Sequence, residues 1–348
     1  MTFLKNAWYA AGWADEITHT LTHRTILNEP IVFYRMSTGE SVALHDQCPH
    51  RFAPLHLGQI IDDGIQCGYH GLQFDCHGKC VVSPFEARIP KAAKVKRYAL
   101  VERYGVAWIF MGDAATADAS QIPDFSCIVD ERRTCLRGSL PVKAHYELVV
   151  DNLADLSHAN FLHGSYLAKE GVERTEHSVD VEGETVYSKF RFPGVKIPPI
   201  WGRYFDDASA IVDRWSEIRW DAPCNVLLSA GVTRASEPRA AGIEVLGVHL
   251  VTPETDTSSH YLYCHCRDYK IGDPETNDLI REWQRVAFSE QDKPMLEAQQ
   301  ASLRGEELMS KRPLLLGSDA GAVRIRRLLK ARIEAEGEHV SAPVAAFR

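Results

Sequence analysis

The chain has 348 residues, 45% hydrophobic and 25% charged, a composition ordinary for a globular protein and a length sufficient for two domains with separate cores. A formal net charge of −8 argues against a nucleic-acid or anionic-membrane surface. Nine cysteines, an odd number without a disulfide-like framework, suit a reducing compartment in which Cys and His hold metal, so a cytoplasmic protein is expected.

In chain order, the first residues interrupt an apolar run with Lys5 and do not read as a signal peptide. No later stretch reaches the roughly eighteen apolar residues of a membrane span. Residues 1–112 read as a β-rich domain, with apolar strings at 30–34, 41–44 and 106–110 separated by Gly, Asp and Asn turns. Residues 113–136, rich in Ala, Asp and Ser, read as a linker. A second domain is expected over 137–338. It opens with a strand-like start and a helical stretch at 148–163, followed by a Gly/Pro-rich segment at 192–201. Strands are expected at 179–181, 185–192, 226–232, 243–252 and 260–266, the last with clear alternation. Asp273-Pro274 opens a helix as N-cap and first-turn proline, and Pro294 must kink or restart it. A last amphipathic helix at 319–336 carries five basic residues read as a solvated face, and 339–348 reads as a frayed tail.

Two chemically active constellations stand out. Cys48-Pro49-His50-Arg51 is answered by Cys67-Gly68-Tyr69-His70, each half supplying one thiolate and one imidazole. Zinc sites usually group like ligands, two Cys in one half and two His in the other. The mixed order instead suits a Rieske [2Fe–2S] cluster, in which each loop gives one ligand to each iron, and these strings strongly resemble Rieske proteins. The respiratory versions carry an extra cysteine in each loop, absent here, so a potential near the low end of the Rieske span, about −150 mV, is expected. Cys76 and Cys80 lack partners of matching spacing and read as hairpin core.

The second constellation is Asp151 to His163, with His158 and His163 five residues apart. On a regular helix that spacing leaves them about 140° apart, so they converge only if the helix loosens or ends near His163. Two imidazoles and one carboxylate make the facial triad of non-heme Fe(II) oxygenases, although two histidines at this spacing, taken alone, are more often ordinary interior or surface residues. Asp155, one turn before His158, can take the other ring N–H of that histidine through its carboxylate. Asn152 is a further pocket or supporting group.

Together, a Rieske pair followed about ninety residues later by Asp-x-x-His-x4-His resembles the Rieske non-heme iron oxygenases, most closely the oxygenase subunits of the vanillate and dicamba O-demethylase type. The toluenesulfonate methyl-monooxygenases are also similar. The resemblance implies an α+β chain, an all-β Rieske domain followed by a helix-grip (START/Bet v 1-like) catalytic domain with an antiparallel sheet. It implies a third iron ligand on a late helix, and the string Phe288 to Glu297 matches that segment at Asp292, with Glu290 and Glu297 the rivals. It also implies a homotrimer in which Asp155 bridges His158 to the Rieske histidine, here His70, of a neighbouring subunit.

The activity implied is O2-dependent oxidative O-demethylation of a vanillate-like methoxylated aromatic acid to a phenol and formaldehyde. Electrons would come from NAD(P)H through a separate reductase or ferredoxin. Hydroxylation of a ring or methyl group by the same site is the alternative, and a Rieske electron carrier with a ligand-binding domain is the alternative from another class. For substrate contacts, the dicamba-type pattern matches at His249 and Trp283. Its asparagine position reads Leu228 here, with Asn225 three residues earlier. Composition alone nominates Arg203, in the segment around Trp201, as an anion contact.

Overall fold

The computed structural model describes residues 3–85, 88–164, 175–205, 207 and 209–341. They divide into two compact units, Phe3–Ile122 with Thr252–Asp256, and Pro123–Val251 with the chain from Thr257 onward. Among the described residues no helix is long and apolar enough to cross a membrane.

The first unit is all-β. One sheet runs β1 (Trp8–Trp13), β10 (Val106–Phe110), β9 (Ala99–Arg103), and β1 and β10 are buried along their whole length. A second joins β2 (Thr22–Ile26), β3 (Glu29–Arg35) and β4 (Ser41–His45). The third joins β5 (Gln59–Ile61), β6 (Gly64–Gln66), β7 (Gln73–Phe74) and β8 (Cys80–Val82). Val32, Tyr34, Leu44, Leu55, Ile65 and Phe74 form a core that also encloses Cys48, Cys67 and Cys80, with Cys76 packed against it.

The second unit is built on a seven-stranded antiparallel sheet. Its strands are β11 (Thr134–Val142), β12 (Glu176–Glu182), β13 (Thr185–Lys196), β14 (Ile211–Asp221), β15 (Asn225–Arg234), β16 (Ile243–Thr255) and β17 (Ser258–Arg267). Their order across the sheet is β11-β17-β16-β15-β14-β13-β12. Sequence reasoning missed β14. Its interior positions include Arg214 as well as Val212, Ile218 and Trp220, and a charge on the inner face breaks the apolar alternation.

The helices are α1 (Tyr146–Ala154), α2 (Ala159–Leu162), α3 (Pro199–Gly202), α4 (Pro274–Gln284), α5 (Lys293–Leu303) and α6 (Ala320–Ser341). Asp273 caps α4 by accepting from the Thr276 amide. Between α4 and α5 the chain widens into a π-helical segment, Arg285–Asp292. Pro294 has no N–H to give Glu290, and the wider turn ahead of it carries the chain into α5. Helix α6 lies against β13, so close that a Cβ on Gly321 would sit 2.7 Å from Ser188 Oγ.

Three expectations need correction. Residues 113–136 are not a separate linker. Their 3-10 turns Ala114–Thr116 and Ala119–Gln121 belong to the first unit, while Ser126–Ile128 and the start of β11 belong to the second. Helix α6 continues through 339–341, and the remainder of the expected tail lies outside the described residues. The basic face of α6 is not wholly solvated: Arg326 is mostly buried and donates from Nη2 to Asp151 at 2.7 Å and from Nη1 to Glu147 on α1.

Candidate metal centres and active-site cavity

The two Cys–His loops of the first unit share one backbone design. The Cys48 amide donates to the Ala53 carbonyl (2.9 Å) and the Phe52 amide to the Cys48 carbonyl (2.9 Å). In the other loop Cys67 donates to Leu72 (2.8 Å) and Gly71 to Cys67 (3.0 Å). The fourth residue after each cysteine has positive φ, +58° at Phe52 and +74° at Gly71. Glycine is the ordinary occupant of that conformation, and Phe52 takes it at a cost. Both sulfurs are buried, while His50 is exposed and His70 half-buried, their rings 4.5 Å apart. Buried thiols behind outward imidazoles fit the donor set of a [2Fe–2S] cluster with two Cys on one iron and two His on the other. Phe52 and Tyr69 on these loops, and Leu57 on the 3-10 turn Leu55–Leu57 between them in the chain, are apolar and 68%, 67% and 70% exposed.

In the second unit His158, His163 and Asp292 come together, with donor atoms all within 4.8 Å of one another. His158 Nε2 is 3.6 Å from Asp292 Oδ1 and His163 Nε2 is 3.4 Å from Asp292 Oδ2. The histidines converge because the helix loosens: α1 ends at Ala154, a 3-10 turn spans Leu156–His158, and His163 closes the short α2. The π-helical segment presents two consecutive side chains to His163, with Gln291 Oε1 2.7 Å from Nδ1 and Asp292 at Nε2. Gln291 was not singled out by sequence reasoning, although it adjoins Asp292. Burial works against a charged His163, but the Asp292 carboxylate holds its pKa above the ordinary value, as befits a site built to receive a cation. Two imidazoles and one carboxylate at these separations fit a mononuclear iron with open positions. Glu290 and Glu297 lie elsewhere, paired with Arg285 and Lys293.

Asp155 departs from expectation. Its carboxylate does not reach the His158 ring; it accepts from the Ser157 amide at 2.9 Å and lies 3.4 Å from Ser318 Oγ. The backbone carbonyl of Asp155 takes the His158 Nδ1–H instead, at 2.6 Å. Asn152 stands over the triad, its Nδ2 3.4 Å from both His158 Nε2 and Asp292 Oδ1.

The triad opens on a cavity of about 120 Å³ walled by apolar groups including Trp201, Ile218, Leu228, Val245 and Phe288. His249 and Trp283 line it, and His249 Nε2 and Trp283 Nε1 have no hydrogen-bond partner among the described residues. His249 Nδ1 is 2.6 Å from the Tyr261 hydroxyl. Burial lowers the pKa of His249 to about 3 and of the neighbouring wall residue His265 to about 4, so both imidazoles are neutral. Asn225 and Arg203 are not in the wall. Asn225 is buried at the start of β15, where its amide donates to the Ala222 carbonyl (3.5 Å), and Arg203 lies just beyond α3. Among the described residues, the cation that lines the cavity is Arg214, buried on β14, donating to Asn160 Oδ1 (3.1 Å) and stacked 3.7 Å over Phe192. Burial lowers its pKa only to about 10, which leaves it charged at neutral pH.

The chain matches known proteins along nearly its whole length. A Rieske [2Fe-2S] domain model matches residues 7–98, and a vanillate O-demethylase oxygenase C-terminal domain model matches residues 142–335. The oxygenase component of dicamba O-demethylase from Stenotrophomonas maltophilia is 37% identical over 94% of this chain and 97% of that protein. The vanillate O-demethylase oxygenase subunit of Pseudomonas sp. (strain HR199 / DSM 7063) is 36% identical over 99% of each chain. The crystal structure of dicamba monooxygenase bound to dicamba superposes with a TM-score of 0.90 at 36% identity, covering 97% of this chain and all of that one.

Proposed function

As the chain belongs to the Rieske non-heme iron oxygenases of the vanillate O-demethylase type and is the oxygenase component of a multicomponent monooxygenase, we propose that it oxidatively demethylates a methoxylated aromatic acid. Overall, O2, two electrons, two protons and an aryl methyl ether yield water and an aryl hemiacetal, which collapses to a phenol and formaldehyde. A Rieske [2Fe–2S] cluster and a mononuclear iron, its cofactors, supply electron relay and oxygen activation.

In this reading Cys48, His50, Cys67 and His70 hold the cluster, and His158, His163 and Asp292 hold the iron. The observation that carries it is the triad at the wall of a cavity that is apolar except for a few convergent polar groups. The apolar wall excludes water and packs the aromatic ring. His249 and Trp283 offer N–H groups to an ether or carboxylate oxygen, and Arg214 is a fixed positive charge for the acid. Asn152 holds a polar amide beside the triad and orients Asp292. An electron carrier with a ligand-binding domain has no need of the second donor set.

Electrons arrive from a reductase or ferredoxin, and the proposed assembly is a homotrimer. Supporting it, the first unit exposes the apolar side chains of Phe52, Leu57 and Tyr69, and the second has a groove lined by Asp155, His158, Met295, Leu314 and Leu315. Pairing those surfaces between subunits would bring His70 to the Asp155 carboxylate and on to His158. A cytoplasmic location rests on the nine cysteines, which a reducing compartment keeps as thiols.

The test is turnover of the purified protein with NAD(P)H, O2 and a surrogate reductase over a panel of methoxybenzoates. Formaldehyde and the corresponding phenol in equal amounts are expected. A hydroxylated ring or methyl group without formaldehyde would replace the demethylase reading with the hydroxylase one.

A further inference from the structure

The second unit holds another ligand cluster, made of residues with no part in the iron site. Cys135 on β11 and Cys266 on β17 are direct cross-strand partners, and Cys264 is two residues along the same face. The sulfurs of these three lie within 4.8 Å of one another, with 3.6 Å between Cys264 and Cys266. A fourth thiol, Cys127 on the 3-10 turn Ser126–Ile128, reaches Cys266, and the Cys127 carbonyl accepts from Cys135 Sγ at 3.2 Å. Four sulfurs around a cation with bonds of about 2.3 Å would stand about 3.8 Å apart at the corners of a tetrahedron. Buried cysteines often act as small hydrophobes, but that role does not require three of them within 4.8 Å of one another with a fourth beside Cys266.

We propose that Cys127, Cys135, Cys264 and Cys266 form a thiolate site for one thiophilic closed-shell cation, Zn2+ or Cu+, separate from both iron centres. The thiols release their protons to solvent as the metal enters. Two guanidinium groups offset the negative charge of the filled site. Arg133 donates to the Cys266 carbonyl at 3.5 Å and acts on both Cys127 and Cys135. Arg267, 1% exposed and within electrostatic reach of Cys135, has Nε and Nη1 without hydrogen-bond partners among the described residues. The cation would pin β11, the edge strand of the sheet, and the turn before it to β17.

The test uses the whole oxygenase, loaded with zinc or with copper under reducing conditions and dialysed. Metal analysis should find about one equivalent of one of the two metals per chain in addition to iron, and absorption-edge spectroscopy should find a sulfur-only shell at about 2.3 Å. A zinc-edge or copper-edge signal decides between the two cations. In Cys127→Ser and Cys135→Ser the extra equivalent should fall to about a tenth or less, with iron and acid-labile sulfide unchanged, while Cys76→Ser keeps it. If the serine variants fold poorly, the wild-type spectrum decides alone. No retained metal, a nitrogen or oxygen shell, or a Cys135–Cys266 disulfide formed in place of metal uptake would overturn the proposal.

Discussion

His158 is oriented by the backbone of Asp155 and not by its side chain: the carbonyl accepts from Nδ1 at 2.6 Å while the carboxylate caps Ser157. The two proposed duties of Asp155, holding an iron ligand and passing electrons, therefore reside on different atoms. In Asp155→Asn the carbonyl survives and the amide oxygen can still cap, so mononuclear iron content should stay near the wild-type level. Steady-state turnover should fall about 10- to 100-fold. Iron analysis beside a coupled NAD(P)H assay checks this, and loss of iron would assign the carboxylate to holding the site.

Gln291 fixes the ring of His163 from the side opposite Asp292. Gln291→Leu should weaken iron binding about 10- to 100-fold without touching the cluster. Asp292→Ala should lower iron from about three to about two per chain. The reduced-cluster EPR signal should persist in both, and its loss would mean that the substitutions act on the fold.

Arg214, not Arg203, lines the cavity. A charge-assisted hydrogen bond contributes about 1.5–3 kcal/mol, so Arg214→Gln should raise KM for an aromatic carboxylate about 10- to 100-fold. The KM for a neutral methyl ether of the same size should change little, and Arg203→Ala should leave both unchanged. An equal effect on acid and neutral substrates would remove the anion-binding role.

Arg326 ties α6 to α1 through Asp151 and Glu147, and α1 leads directly into the turn that carries His158. Burial pushes both carboxyls up, and the guanidinium opposes it. Removing the cation strands two acids, so Arg326→Met should cost about 3–5 kcal/mol in a denaturant titration. A loss below about 1 kcal/mol would mean that water already solvates this pair of helices.

His249 and His265 are buried as neutral imidazoles, with pKa values of about 3 and about 4. Above pH ~6.5 neither state of the protein binds the proton and stability is unaffected. Below it the unfolded chain takes up protons that the folded one refuses, so stability falls as pH falls, by about 1.4 kcal/mol per unit for each group. For His265 the slope ends near pH 4 and for His249 near pH 3. His265→Gln should flatten the dependence of Tm on pH between about 6 and 4; an unchanged slope would refute it.

The proposed ligand pairs were readable in the sequence because each is local. One or two residues separate Cys from His in the Rieske strings, and the loop that carries them is set by its own hydrogen bonds. His158 and His163 were readable as a pair, and their convergence required only that the helix break where it does. Asp292 was reached through resemblance; nothing local marks it, since its partners lie some 130 residues earlier and the widened turn that aims it follows from Pro294. Arg214 was missed because an arginine inside a strand reads as a solvent-facing position until the sheet covers it.

The sequence by itself determined the chemistry: which donors are present, how they pair, and that a cluster-bearing β domain precedes an iron-bearing one. Tertiary structure decided which walls the substrate meets, because β14, β15, β16 and α4 each contribute residues to the cavity and a one-residue slip in register would turn them outward. It also decided the four-cysteine cluster. Cys135 and Cys266 are 131 positions apart and meet only through the pairing of β11 with β17, a long-range register that no local spacing encodes.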